Sequence, residues 1–148
     1  MEMVVVVAIV GVLAAAARPM VELAARRAKE SELRHALRTL RTAIDEHKQA
    51  ADEGRIAKAV DASGYPPSLR VLAEGVPDTR SSDGSKRIYF LRRLPRDPFS
   101  AADLPAAETW ATRSHESPPE APRPGRDVFD VASRSERTAL DGSRYDQW

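Results

Sequence analysis

The N-terminal sequence constrains this chain most strongly. Residues 3–17 form an apolar run with no charged or strongly polar side chain, preceded by Glu2 and followed by Arg18 and Pro19. As an α-helix the run would be about 22 Å long, whereas the hydrocarbon core of a bilayer is about 30 Å thick. An ionisable group at the edge of such a segment is costly in a membrane, so Glu2 is a candidate functional residue.

Three interpretations of the apolar run compete. A secretory signal peptide, cleaved near residues 14–16, would need a basic n-region, which residues 1–2 do not supply. A buried core helix is disfavoured by the four consecutive valines at 4–7, and a chain of 148 residues would struggle to cover it on all sides. We favour a membrane anchor whose front end is missing, and we expect Met1 to be a misplaced or truncated start.

A helical pattern continues after the apolar run. Pro19 fits inside a long helix only by kinking it, because proline removes one backbone hydrogen bond. Glu30 and Arg34 have the i, i+4 spacing of a helical ion pair. We predict one bent helix from about residue 2 to 52 that stops near Gly54. Its apolar stripe comprises Leu23, Leu33, Ala36, Leu37, Leu40 and Ile44.

The C-terminal half reads as short elements, because most of the eleven prolines follow residue 65. Ser68 and Gly75 bound a predicted helix over 69–74. Residues 76–86 are predicted to be a polar loop, and residues 114–126 a proline-rich loop. Strands are expected over 87–91, 108–113 and 127–133, the last burying Val128 together with either Phe129 or Val131.

The predicted fold class is α+β, a long N-terminal helix with an apolar first third packed on a small antiparallel β-sheet. Residues 1–18 would form the transmembrane or fibre-core half of the helix. Residues 19–54 would form its amphipathic half, and residues 55–148 a small α+β domain.

Composition excludes several function classes. The chain has no cysteine, so it has no disulfide framework and no thiolate metal site. Its net charge of +1 does not supply the positive electrostatic potential that attracts nucleic acid. It contains no glycine-rich phosphate loop and no nucleophile elbow, so we do not expect an enzyme. Trp110 and Trp148 are expected to pack in or against the core. The scattered histidines are expected to be exposed rather than metal ligands: His35, His47 and His115.

Several features together carry a family resemblance. Glu2 and Pro19 are seventeen positions apart, and three later segments add to the pattern: YPPSL at 65–69 with Leu72, YFLRRLPRDPF at 89–99, and DVFDVAS at 127–133. In this order they resemble the major (G-type) pseudopilins of type II secretion systems, in the type IV pilin superfamily. The family's basic leader and cleavage site are missing here.

The resemblance implies a structural subunit of a pseudopilus that drives or scaffolds type II protein secretion. Glu2, Gly11 and Pro19 would serve assembly into a helical filament, with Glu2 pairing with the N-terminal amine of a neighbouring subunit. Implied partners are further copies of the chain, other pseudopilins, an inner-membrane secretion platform and a prepilin peptidase acting on the full-length precursor, which in the family is also methylated.

The implied location is the inner membrane of a Gram-negative-type bacterium, crossed once, with the C-terminal domain in the periplasm. The positive-inside rule points the other way, since four basic residues follow the apolar run: Arg18, Arg26, Arg27 and Lys29. We follow the resemblance. A type IV pilus subunit and a membrane-anchored, monomeric periplasmic accessory or binding domain are the alternatives.

The C-terminus departs from the family pattern. The family ends in an acidic, glycine-rich loop that holds calcium, whereas here only Asp141 and Asp146 have plausible spacing, with Arg144 between them. Calcium takes six to eight oxygen ligands, so main-chain carbonyls and water would have to supply the rest. The alternative is a simple turn at Asp141 and a solvated Asp146.

Overall fold

A continuous helix forms the N-terminal third of the chain. The computed structural model describes residues 2–82 and 84–148, apart from the side chains of Glu2, Ala16 and Ala17. Helix α1 spans Glu2–Asp52, 51 residues with Pro19 inside it, so the predicted bounds are confirmed. Gly54 follows with a positive φ of 69°, a conformation that lets the chain leave the helix and that glycine adopts without strain.

The second half of α1 carries the hydrophobic core. Five of the six residues in the predicted stripe are buried: Leu33, Ala36, Leu37, Leu40 and Ile44. Leu23 was predicted to join them, but it is 39% exposed, because the globular part of the chain first contacts α1 at Arg26. The buried stripe therefore begins at Leu33, about three helical turns later than the sequence pattern indicates.

The short second helix confirms its prediction. Helix α2 spans Leu69–Glu74 and buries Leu69 and Leu72. Gly75 follows with a φ of 76°, and a Cβ there would lie 2.8 Å from the ring of Tyr89. Only glycine fits this close approach. Ser68 occupies the N-cap position, although its side chain makes no capping hydrogen bond.

Two strands of two residues each follow α2. Strand β1, Val76–Pro77, pairs antiparallel with β2, Arg87–Ile88. The prediction of a strand over 87–91 was too long, and the predicted loop over 76–86 missed β1. The chain leaves the sheet after β2 because the main-chain N–H groups of Phe90 and Leu91 both donate to the carbonyl of Leu72.

A second antiparallel pair lies against α1. Strand β3, Trp110–Arg113, pairs with β4, Asp130–Ser133, with Trp110 opposite Ser133. The predicted strand 108–113 starts later because a 3₁₀ turn occupies Ala106–Thr109.

The predicted strand 127–133 is also shorter than expected. Val128 and Val131 are both buried, but the N–H of Val128 donates to Pro66 in a loop, before β4 begins. Phe129 is only half-buried.

The C-terminal segment completes the core. A 3₁₀ turn, Tyr145–Gln147, places the buried ring of Tyr145 in a stack on Phe99, with ring centroids 4.2 Å apart. Trp148 meets Tyr145 edge-on, and Trp110 is buried with its indole N–H donating to Pro95. Both tryptophans thus pack as predicted. The α+β class is confirmed, with a long N-terminal helix and two small antiparallel sheets in place of one.

Candidate functional site

The first half of α1 is an unpartnered apolar helix. Every residue from 3 to 25 whose exposure is described is exposed, and the two ionisable residues among them, Arg18 and Glu22, lie in the last third of this stretch. At the helical rise it is about 34 Å long, longer than the run at 3–17. Among the described residues, one helix is long and apolar enough to cross a membrane, and its apolar window is unburied.

The three predicted assembly residues lie at separate positions along this helix. Glu2 opens α1, but its side chain lies outside the described part of the structure. Gly11 is exposed, and a Cβ built on it meets no atom within 4 Å. Small residues at such positions let a second helix approach closely. Pro19 lies about 25 Å from Glu2 along the helix axis, where α1 is still free of the globular domain.

The junction between helix and domain centres on a buried carboxylate. Glu30 is 8% exposed, and its Oε1 accepts hydrogen bonds from the phenol of Tyr145 at 2.7 Å and from the main-chain N–H of Leu140 at 2.9 Å. Arg26 completes the cluster with its Nε 3.7 Å from the same oxygen. The predicted ion pair of Glu30 with Arg34 is wrong, because Glu30 points into the domain.

The phenol of Tyr145 acts as a donor in this cluster. Burial raises its pKa, the hydrogen bond from Arg26 lowers it, and the carboxylate of Glu30 raises it again, with a net increase. The guanidinium of Arg26 also donates to the carbonyl of Thr138. Helix α1 is therefore fastened to the C-terminal segment at the point where it leaves its free, apolar half.

Two arginines further along α1 hold the same segment. Arg41 donates to Asp130 Oδ1 at 2.8 Å, to the carbonyl of Val131 at 3.0 Å and to the main-chain oxygen of Trp148 at 2.7 Å. Arg34 lies over the indole of Trp148, 4.2 Å from its centroid, and pairs with Asp141 at 3.1 Å. The sequence analysis missed both roles; the only signal was that the two arginines, seven residues apart, share one helix face.

The predicted calcium ligands each have partners of their own. Asp141 accepts from the hydroxyl and the N–H of Ser143 at 2.5 and 2.9 Å, and these bonds, with Arg34, lower its pKa. Asp146 pairs with Arg144 at 2.5 Å, which lowers the pKa of Asp146. Within the described residues, no group of three histidine, cysteine or acidic side chains could hold a metal. Calcium would have to compete with Arg34 and Arg144.

One histidine lies inside the protein. His47 was predicted to be exposed, but it is 5% exposed because it falls three residues after Ile44 and continues the buried stripe. Its Nδ1 lies 3.0 Å from the carbonyl of Gly64, so the neutral ring donates there. Burial lowers the pKa of His47, and the bond to Gly64 offsets part of that shift. His35 and His115 are exposed, as predicted.

Comparisons with known proteins do not assign the chain to a family: no protein-family model matches it, and no curated protein or solved structure shows a significant match. The residues and their geometry therefore carry the functional inference.

A second carboxylate organises the surface of the domain. Asp127 accepts from the hydroxyl of Ser114 at 2.7 Å, the N–H of His115 at 2.9 Å and the hydroxyl of Ser63. Burial raises the pKa of Asp127, but these hydrogen bonds outweigh it and lower the pKa overall. Both serine hydroxyls and the main-chain N–H of His115 donate to the carboxylate, so the cluster ties the proline-rich loop to residues 55–64.

A groove of about 720 Å³ lies beside this cluster. Buried and half-buried apolar residues and exposed charged residues both line it. The apolar ones include Ala51, Ile56, Val71 and Val76, and the charged ones include Lys58, Glu116 and Arg126. Arg126 and Glu116 pair with each other at 2.5 Å.

Proposed function

We propose that this chain is a structural subunit of an inner-membrane-anchored pseudopilus that drives or scaffolds type II protein secretion. One observation carries the proposal: α1 is a single helix whose first half is apolar and unburied, while its second half is locked into a small α+β domain. The proposed location is the inner membrane, with the globular domain in the periplasm.

The physical argument rests on the apolar half of α1. A helix that is apolar on all sides must be covered by lipid or by other helices, because exposed apolar surface of this extent is unfavourable in water. Packing such helices from many copies would bury the same surface outside the membrane. Head-to-tail contacts between different patches on successive copies build an open helical filament when the rotation between copies does not close a ring.

Glu2 and Gly11 have complementary roles in this proposal. Gly11 leaves room for a neighbouring helix. The carboxylate of Glu2 is tolerable in an apolar environment only if it finds an opposite charge, and the N-terminal amine of the adjacent subunit would supply it. The chain itself would catalyse nothing. Its partners would be like subunits, other pseudopilins, the inner-membrane platform and a prepilin peptidase.

The test compares two acidic residues of one helix. The chain is expressed from its native genomic locus as wild type, Glu2→Ala or Glu22→Ala, and multimers are measured in sheared and cross-linked fractions. Glu22 is a matched control because it is exposed on α1. We expect multimers from the wild type and the Glu22→Ala variant, and monomers in the membrane from Glu2→Ala. If Glu2→Ala formed as many multimers as the wild type, a role of Glu2 in assembly would be contradicted.

Two alternatives give different results in this test. A type IV pilus subunit would give the same Glu2-dependent multimers, but deleting its gene would abolish a surface pilus rather than secretion of proteins. A monomeric accessory or binding domain would stay monomeric in every variant, and it would use a surface such as the groove beside Asp127.

A further inference from the structure

One arginine of the globular domain has a buried donor that lacks an acceptor. Arg113 ends β3, and its Nε is buried without a hydrogen-bond partner, the one such side-chain atom among the described residues. The guanidinium lies over the ring of Phe129, 4.7 Å from the centroid, and forms no ion pair within the described part of the chain. Leaving a buried charged donor unpaired is unfavourable, so Arg113 is placed to meet an acceptor from another molecule.

The acceptor that the sheet itself would supply is bound elsewhere. Arg113 lies opposite Asp130 in the β3–β4 register, a position where oppositely charged side chains ordinarily pair across two strands. The Asp130 carboxylate instead accepts from Arg41 of α1 at 2.8 Å and from the main-chain N–H of Val131 at 2.8 Å. Asp130 therefore fastens the sheet to α1, and it leaves Arg113 without a carboxylate.

Arg113 lines a groove of about 1100 Å³ beside the β3–β4 pair, which we call the sheet groove. Ala111 and Ala132 lie opposite each other in the register and alternate with buried residues, so they face outward and form part of its lining. Pro119 and Pro122 of the proline-rich loop line it as well. The volume exceeds the roughly 300–1,000 Å³ of typical small-molecule pockets, so the sheet groove has room for a peptide segment.

The unpaired charge in the sheet groove is positive. Arg134 is exposed and donates through its Nε to the carbonyl of Trp110 at 3.0 Å, but like Arg113 it forms no ion pair with a described residue. The three acidic residues of the groove lie 2.8, 2.5 and 3.9 Å from arginines of the chain: Asp130 from Arg41, Asp146 from Arg144, and Glu136 from Arg144. Two guanidinium groups thus remain for a ligand that carries negative charge.

We propose that the sheet groove binds an extended, acidic segment of another protein, with a carboxylate of that segment on Arg113. A guanidinium can donate two parallel hydrogen bonds to a carboxylate, and one through Nε satisfies the buried donor. Arg134 lies four residues beyond Asp130, which faces Arg113, so the two arginines are roughly 14 Å apart along the strands. The segment therefore carries acidic side chains at i and i+4, which lie on one face of an extended chain. This binding depends on neither membrane anchoring nor assembly.

The experiment observes the Arg113 Nε–H directly. The full chain, labelled with heavy nitrogen and held in detergent micelles, is titrated with a short capped peptide of threonine and glycine that carries two glutamates four positions apart. Nuclear magnetic resonance follows the Nε–H signal of Arg113, which is assigned by its loss in Arg113→Lys. We expect a saturable shift of this signal and slower exchange of its proton with water. The same peptide with glutamines in place of the glutamates should leave the signal unchanged.

Three variants locate the binding, measured by fluorescence anisotropy of the labelled glutamate peptide. Arg113→Gln should weaken binding about tenfold or more, because it removes the charged donor. Ala132→Leu keeps every charge but fills part of the sheet groove, so it should weaken binding as well. Arg137→Gln is the matched control, since Arg137 also lies over a phenylalanine ring, 5.8 Å from the centroid of Phe99, but does not line the groove. It should bind as the wild type does.

Several results would overturn the proposal. In the wild type these are an unchanged Nε–H signal at millimolar peptide, or an equal response to the glutamine peptide. The same saturable shift with acetate at equal carboxylate concentration would reduce the groove to an adventitious ion site only. A shift that grows with protein concentration in the absence of peptide would identify a second copy of the chain as the occupant. Full binding by Arg113→Gln or by Ala132→Leu would place the peptide elsewhere on the surface.

Discussion

Glu30 Oε1 lies 2.7 Å from the phenolic oxygen of Tyr145, a residue 115 positions later in the chain. Both side chains are buried, and the bond joins α1 to the C-terminal 3₁₀ turn. Because Leu140 and Arg26 meet the same carboxylate oxygen, the end of the chain closes on the helix where its free half begins. Removing this contact should loosen the domain without disturbing the apolar helix.

Tyr145→Phe tests the contribution of this bond. The ring and its stack on Phe99 remain, but buried Glu30 loses one donor, so we expect the free energy of unfolding to fall by about 1–2 kcal/mol. Thermal unfolding of the full chain in detergent, followed by near-ultraviolet circular dichroism, measures the change. Tyr89→Phe is the control, because Tyr89 is 61% exposed. Equal stability of the two variants would show that the Glu30 bond contributes nothing.

Arg41→Lys tests the three hydrogen bonds by which Arg41 holds the C-terminal segment against α1. A lysine cannot donate at once to Asp130, Val131 and Trp148 in the geometry of a guanidinium, so we expect a loss of about 1–2 kcal/mol. Arg38→Lys, one turn earlier at an exposed position without an ion pair to a described residue, should change stability by less than about 0.5 kcal/mol. If Arg41→Lys left the free energy of unfolding unchanged in the same assay, these hydrogen bonds would not stabilise the fold.

His47 predicts a pH dependence of stability. Its pKa in the folded protein is lowered, so the unfolded chain binds the proton first. The stability that neutral His47 contributes is present above about pH 6.5 and is lost as the pH falls toward and through the folded pKa. Between about pH 7.5 and pH 5, the melting temperature of the wild type should fall more than that of His47→Gln.

His35→Gln is the control for this pH dependence, because His35 lies on the exposed side of the same helix. It should retain the slope of the wild type. If His47→Gln also retained that slope, the buried histidine would not be the group that titrates.

Calcium addition tests the C-terminal acidic residues. Since Arg34 and Arg144 already neutralise Asp141 and Asp146, we expect millimolar calcium to shift the melting temperature by less than about 1 °C. A rise of several degrees that disappears in an Asp141→Asn, Asp146→Asn double variant would instead establish the calcium site that the family resemblance implies.

The features that the sequence predicted well are determined by residues close to one another in the sequence. The bounds of α1 and α2 follow from apolar spacing and from the glycines at 54 and 75, which act within one helical turn. The buried stripe follows from the same period. Strand lengths were overestimated because the N–H groups of Phe90 and Val128 have partners in distant segments, which strand composition does not reveal.

The candidate site was less predictable for the same reason. Glu30 and Arg34 have the spacing of a helical pair, yet each is bound by a C-terminal residue more than 100 positions away. Such contacts depend on how the chain folds back, and no local pattern encodes them. The exposed apolar half of α1 was visible in sequence, but its extension to residue 25 depends on where the domain begins.

Cross-linking of the apolar helix tests the central claim most directly. Because the chain lacks cysteine, Val7→Cys and Met20→Cys place two reactive groups on exposed positions of α1, and a flexible bis-maleimide is added to cells that express the chain from its native locus. Stacked copies predict a ladder of covalent multimers extending beyond the dimer, which Glu2→Ala removes and Glu22→Ala leaves. Monomers alone, or a product that stops at the dimer, would contradict assembly into an open filament.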